Sequence, residues 1–324
     1  MIEITNILIN KKFDLNTGHR SAVQKGNMGK TYAYALQLRN NQQDTFVLRG
    51  KAGNVSTKIL ELVNSAAGHT QTWEYSGNKD KWFIGTEPSS TANGHWAKQI
   101  ARVDIKTQSG THGYNTDFPR LGYLNRAGSG LKVDGTRYNG TDMKRSEAAV
   151  SPNHTKFLLA TVDNAGNGYF TIYDLNTINA ALNRSSTDPV NIGNFSYIES
   201  FSTKNLITTT KQKGLINSIQ GYDLDDNSNI YISSQKKPDF NNGIYQAHHK
   251  QIIKIPYYAR SDQSKWLSIN LSSFGGLDIS GKHSEVEGIQ VIGEDHIWLT
   301  VAYHANVGGK NKTVANKMYE LTWS

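Results

Sequence analysis

The stretch that decides the fold is residues 218–234, S-I-Q-G-Y-D-L-D-D-N-S-N-I-Y-I-S-S. It holds a polar anchor, Gln220, then a link rich in Asp, Asn and Ser, then a short β-type run at 230–234. The same arrangement returns four more times. V-Q-K-G at Gln24 precedes YAYAL at 32–36, and H-T-Q-T-W at Gln71 precedes WFIG at 82–85. S-E-A-A-V at Glu147 precedes FLLAT at 157–161, and V-E-G-I-Q at Glu287 precedes IWLTV at 297–301. Repetition of this kind marks a repeat architecture.

Each unit continues alike. A third run follows the second: TFVLR at 45–49, IARVDI at 100–105, FTIYDL at 170–175, IIKIP at 252–256 and MYELTW at 318–323. Fourth apolar segments lie at 59–63, 121–124, 195–201 and 266–271. The runs are short, partly alternating and rich in Ile, Val, Tyr, Phe and Thr, which suits buried strands. Gly, Asn, Asp and Ser fill the links as turn residues.

Four strands per unit, repeated radially, is the blade logic of an all-β, five-bladed β-propeller. The last unit has only 37 residues after Glu287, too few for a fourth strand. The N-terminal segment IEITNILINKKFDL at 2–15 reads like the other fourth strands. The expectation is a ring closed by that segment pairing with the last blade, since an open blade would expose strand edges. The blades are expected at about 16–65, 66–125, 140–202, 214–272 and 283–324 plus 2–15, as one domain over 1–324. Two β-sandwich domains of ordinary size are the competing architecture.

Composition narrows the function classes. The 35 Lys and Arg outnumber the 27 Asp and Glu, for a formal charge of +8. Such a surface favours anionic partners, such as teichoic acids, anionic lipids or nucleic acid, although charge also serves solubility. The basic residues are dispersed, without a stripe interleaved by aromatics, so nucleic acid is not expected as a partner. Cysteine is absent, which removes disulfides, thiolate nucleophiles and Cys-based metal sites. No stretch has the apolar length of a membrane-spanning helix. Residues 1–15 lack the apolar core and cleavage pattern of a secretory leader. This leaves a cytosolic protein, one exported by another route, or one whose leader is already gone.

Several strings carry a resemblance over essentially the whole chain. They include GHTQTWE at 68–74, WAKQIARVD at 96–104, EAAVSP at 147–152, SIQGYDLD at 218–225, KIPYYARS at 254–261 and GKHSEVE at 281–287. These resemble the helveticin J family, the large, heat-labile bacteriocins of lactobacilli. The resemblance implies a secreted antimicrobial protein acting on related Gram-positive bacteria. Relatives of this family also include surface-associated and S-layer-associated proteins. An anionic wall or surface glycan is the partner expected from the charge, with an immunity protein as a second one. No catalytic residue is carried over with the resemblance.

Candidate chemistry starts at the anchors. In a propeller Gln24, Gln71, Glu147, Gln220 and Glu287 would converge toward a central channel. Amide and carboxylate oxygens are hard ligands suited to Ca²⁺ or Mg²⁺, with Glu147 and Glu287 the charged pair. Buried polar groups can equally form a hydrogen-bonded structural set fed by backbone N–H groups. The same two carboxylates, with Glu285 nearby, are the only anchor acids for a wall-polysaccharide glycoside hydrolase. That enzyme is the alternative to a non-enzymatic bacteriocin or glycan-binding surface protein.

Histidines add lesser candidates. His69 and His283 lie just ahead of anchors and are placed with the channel set; His19 lies in a similar position. None shows the spacing of a His-based metal motif. Asp223, Asp225, Asn227 and Asn229 resemble the start of a calcium loop but lack its central Gly and distal Glu. A strand-to-strand turn is due there, and Asp and Asn serve turns. Trp73, Trp96 and Trp266 are candidates either to stack on sugars or to pack between blades.

Overall fold

The computed structural model describes residues 1–89, 94–128, 143–185 and 187–324; residue 140, the expected start of the third blade, lies outside them. The fold is all-β, a five-bladed β-propeller. The chain falls into two compact units, one of residues 1–37, 47–58 and 216–324, the other of 38–46 and 59–215.

The first blade orders its own strands Asn54–Leu62, Asp44–Lys51, Ala33–Arg39 and Val23–Met28. In the first unit, the fourth blade orders Leu267–Asn270, Gln251–Ile255, Ile230–Ser234 and Gly221–Leu224. The fifth orders Ile7–Asp14, Lys310–Trp323, His296–Val307 and His283–Gly293. Its outer strand is the N-terminal one, antiparallel to the C-terminal strand from Ile7 opposite Trp323 to Asp14 opposite Lys317. That is the closure expected from the sequence. The N-terminal segment does a second thing the sequence did not suggest. Its first three residues of strand, Ile2–Ile4, pair in parallel with Leu267–Asn270 of the fourth blade. One chain end therefore joins two consecutive blades. The core of this unit includes Ile7, Tyr231, Ile252, Val286, Ile297, Leu299, Tyr303 and Trp323, all buried. Each aliphatic or aromatic side chain of this kind contributes about 1.5–3 kcal/mol on burial.

In the second unit, the second blade orders Arg120–Gly122, Ala97–Asp104, Lys81–Pro88 and Trp73–Tyr75. The third orders Met143–Val150, Lys156–Asp163, Gly168–Asp174 and Glu199–Thr203. Between the third and fourth strands of that blade stands an α-helix, Leu175–Arg184, which strand periodicity had hidden. Asp174 caps it, accepting from Thr177 N at 2.7 Å and Thr177 Oγ1 at 2.8 Å. Leu175, Ile178 and Leu182 form its buried stripe and pack with Phe157, Leu159 and Tyr173. Among the described residues no helix is long and apolar enough to cross a membrane.

A feature common to the five blades positions the site. The strand that carries or directly follows each anchor is the end strand of its sheet. One ladder edge of that strand has no strand beside it in its own sheet, so its N–H and C=O groups need other partners.

Candidate functional site

Side chains of neighbouring blades supply those partners. In the first unit Gln235 reads the edge of His283–Gly293: its Oε1 accepts from Val286 N at 2.8 Å and its Nε2 donates to Ser284 O at 2.9 Å. Ser233 Oγ donates to Glu287 O at 2.6 Å, and Asp223 Oδ2 accepts from Val291 N at 2.6 Å. The edge of Val23–Met28 is read in the same manner. Val23 N donates to Asn316 Oδ1 at 2.9 Å, Gly26 N to Thr300 Oγ1 at 2.8 Å and Met28 N to Gln290 Oε1 at 2.6 Å. In the second unit Ala148 N donates to Thr72 Oγ1 at 2.9 Å.

Close approach of these strands needs glycine next to the anchors. A Cβ on Gly288 would stand 2.6 Å from the carbonyl oxygen of Gln24, and one on Gly221 would stand 2.9 Å from Gly288 Cα. Gln24, Gln220 and Glu287 thus mark a tightly packed place in the first unit, and Glu287 is buried there. Gln220 Nε2 donates to Glu285 Oε1 at 3.2 Å and to Gln235 O at 2.9 Å. The other oxygen of Glu285 lies 2.7 Å from His304 Nε2, both residues being buried. His283 stands opposite His304 in strand register and stacks on Tyr245 at 3.9 Å. Burial, and then the neighbouring His304, hold the His283 pKa below its ordinary value. Tyr245 comes from a hairpin, Asp239–Asn241 and Ile244–Gln246, turned by Asn242 and Gly243 with positive φ.

The second unit brings Gln71 and Glu147 together. Glu147 Oε2 accepts from Gln71 N at 3.0 Å, Thr70 Oγ1 at 3.0 Å and Thr72 Oγ1 at 2.7 Å. Its Oε1 faces Arg145 Nε at 3.3 Å. Arg145 also donates to Gln71 Oε1 and lies over the Trp96 ring, 4.2 Å from its centroid. Trp96 stacks on His69 at 3.8 Å, and His69 Nδ1 contacts Gly94 O at 2.9 Å. Burial, and then the Arg145 charge, push the His69 pKa down to about 3, so the ring is neutral. Arg145 is the residue that sequence reading missed; its only signal was a charge two positions before an anchor, on the same strand face.

These positions carry fixed charge and hydrogen bonding. The Glu147 carboxylate meets three donors and a guanidinium, which compensates its charge inside the protein. Glu147 and Glu287 belong to different units. Among the described residues no group of three or more His, Asp or Glu is arranged to hold a metal ion. His19 is exposed, with Ser21 Oγ 3.0 Å from its Nδ1.

Two alternatives left open by the sequence are decided. The segment resembling a calcium loop is a strand-to-strand turn. Asp225 accepts from Asn227 N, Asn229 N, Asn229 Nδ2 and Tyr231 Oη, and Asp223 accepts from Leu224 N and Val291 N. Trp73 and Trp266 are fully buried and so are core, not sugar-stacking platforms; Trp73 stacks on Trp82 at 4.8 Å and Trp266 Nε1 donates to Ala259 O at 2.8 Å.

Comparison with known proteins adds identity to this geometry. The family described as "Bacteriocin helveticin-J" matches residues 3–324. Bacteriocin helveticin-J of Lactobacillus helveticus is 53% identical, with 99% of this chain and 98% of the relative covered. Among solved structures, the tail fiber of Staphylococcus aureus phage P68 is similar with a TM-score of 0.55 at 13% identity. That match covers 98% of this chain and 53% of the fibre chain, so the chain spans about half of it. A GH43_1 enzyme from Xanthomonas citri, complexed with xylose, matches with a TM-score of 0.47 at 11% identity, over 95% of this chain and 89% of its own. At 13% identity the likeness to the tail fiber is one of fold. The match across nearly the full length, together with the identity to a bacteriocin, makes this chain a member of the helveticin J family of bacteriocins.

Proposed function

We propose that the protein is a secreted antimicrobial that acts on the envelope of related Gram-positive bacteria after binding an anionic wall or surface glycan. Identity of 53% over 99% of the chain with a bacteriocin carries the antimicrobial part of this reading. The formal charge of +8 supports the anionic partner. Side chains that pair the free edges of the anchor strands help such a β-sheet protein stay folded while it docks on a surface. A producer of such a protein would need an immunity partner.

The hydrolase alternative draws no support from Glu147. Its oxygens are already engaged by Arg145 and by three donors of the protein itself. A channel cation draws no support from it either, because Arg145 already supplies the positive charge.

Sedimentation with purified lactobacillus walls tests the binding step. Wall binding that weakens steeply with salt is expected, because screening removes long-range attraction. Retention of the protein in the supernatant at low salt would rule this route out. Release of soluble sugar from the walls would instead favour the hydrolase.

A further inference from the structure

Beside the second blade lies a cleft of about 610 Å³, lined by Lys81, Arg102, Asp104, Thr116, Asp117 and Asn183 among others. That volume is in the range of small-molecule sites. Its lining is unlike an apolar ligand pocket: cations, carboxylates, amides and hydroxyls dominate, and the Phe118 side chain beside it is buried in the core.

Arg102 is the unusual member. It is only 3% exposed, yet among the described residues its hydrogen-bond partners are neutral. Its Nη1 donates to Asn179 O at 3.0 Å and Asn179 Oδ1 at 2.8 Å, and its Nη2 donates to Asn183 Oδ1 at 2.6 Å. Its Nε has no partner among the described residues. A buried cation normally sits against a carboxylate, because desolvation is costly without one. Asp104 is close enough to favour the charge but makes no ion pair with it among the described residues; its Oδ1 is taken by Lys106 N and Thr107 N. Lys81 stands opposite Asp104 in strand register, half-buried, and also has no ion pair among the described residues. The strands and the helix therefore hold two cations at one polar cleft, neither of them in an ion pair among the described residues, although the carboxylates Asp104 and Asp117 share the lining.

We propose that this cleft binds a saccharide bearing an anionic group, with Arg102 and Lys81 receiving that group and the amide and hydroxyl side chains receiving its hydroxyls. The proposal rests on the reading of the protein as a wall-glycan binder and places the contact. A phosphate or a carboxylate substituent presents the same chemistry to a guanidinium and an ammonium.

The test uses the full chain and three probes at low salt: glucose 6-phosphate, glucuronate and glucose. Amide resonances of the cleft residues should shift with the two anions, and the stronger of the two identifies the substituent. Glucose should bind at least about tenfold more weakly, and Lys81→Gln should weaken the anions by about tenfold, as loss of a charge-assisted contact does. Arg102→Gln should do the same if circular dichroism shows it folded; if it does not fold, Lys81→Gln decides alone. Equal shifts with glucose, no shifts with any probe, or unchanged affinity in Lys81→Gln would overturn the proposal. Wall sedimentation separates it from the broader reading. Walls that retain Lys81→Gln as well as the native protein remove this cleft but keep wall binding, whereas native protein that never sediments removes wall binding itself.

Discussion

The side chain of Gln290 closes a two-bond ring with the backbone of Met28: its Oε1 accepts from Met28 N at 2.6 Å and its Nε2 donates to Met28 O at 3.1 Å. An amide thereby imitates the strand that this edge lacks. Gln290→Ala should cost about 1–3 kcal/mol, because it strands a part-buried donor and acceptor. Gln290→Glu keeps the acceptor only and should fall between. Urea midpoints measure both; an unchanged midpoint for the alanine variant would remove side-chain edge pairing as a stabilising device.

Glu147 should be harder to replace. Glu147→Ala removes the carboxylate that faces buried Arg145 and the oxygen on which Gln71 N, Thr70 Oγ1 and Thr72 Oγ1 converge. A loss of about 3–5 kcal/mol is expected, as for other broken buried pairs. Glu147→Gln should be milder, since its amide oxygen still accepts. A hydrolase role would show the reverse pattern, a stable glutamine variant with no activity on walls.

The N-terminal strand should be indispensable. Removing residues 1–15 uncovers the Lys310–Trp323 edge and the Leu267–Asn270 edge together. The truncated chain should aggregate on expression, as chains with exposed edges do. Light scattering checks this, and a monodisperse truncated protein would contradict it.

Acid and base pull on stability through two buried groups of opposite sign. His69 has its folded pKa pushed down from 6.5 to about 3, so its stabilising contribution is full above 6.5 and is lost as pH falls from there toward 3. Asp223 has its folded pKa raised from 3.8 to about 6 by burial, with Lys25 opposing. Its folded form holds the proton longer than the unfolded chain does, so its contribution falls as pH rises from about 4 to 6. His69→Asn should therefore flatten the acid side of the stability profile, and Asp223→Asn should steepen it. Thermal midpoints between pH 4 and 7 read both slopes; parallel profiles for the two variants would refute the assignment.

The strands were legible because each carries a short buried run between turn residues, and closure was legible because the last unit lacked a fourth run. The anchors were legible as repeated polar residues, but their partners were not. Gln235 lies just past the strand Ile230–Ser234 and Gln290 late in the strand His283–Gly293, where nothing local distinguishes them, and their meaning comes only from the blade beside them. The helix Leu175–Arg184 was hidden because its first residue, Leu175, ends the apolar run FTIYDL, although Asp174 and Thr177 offer a capping signal. The hairpin bearing Tyr245 was marked by Asn242 and Gly243, a turn pair that fits positive φ, yet its strands are too short and polar to stand out. The cleft at Arg102 had no sequence signature, since its lining is gathered from two strands, a loop and the end of a helix.

Killing is the most direct measure of the account. Purified native protein, given to growing cells of a panel of lactobacilli, should lower viable counts of at least one strain in a dose-dependent manner, and prior heating of the protein should abolish the effect. Added salt should weaken it in parallel with wall binding. No loss of viability in any strain, with native fold and wall binding intact, would contradict the antimicrobial reading and leave a surface-binding protein in its place.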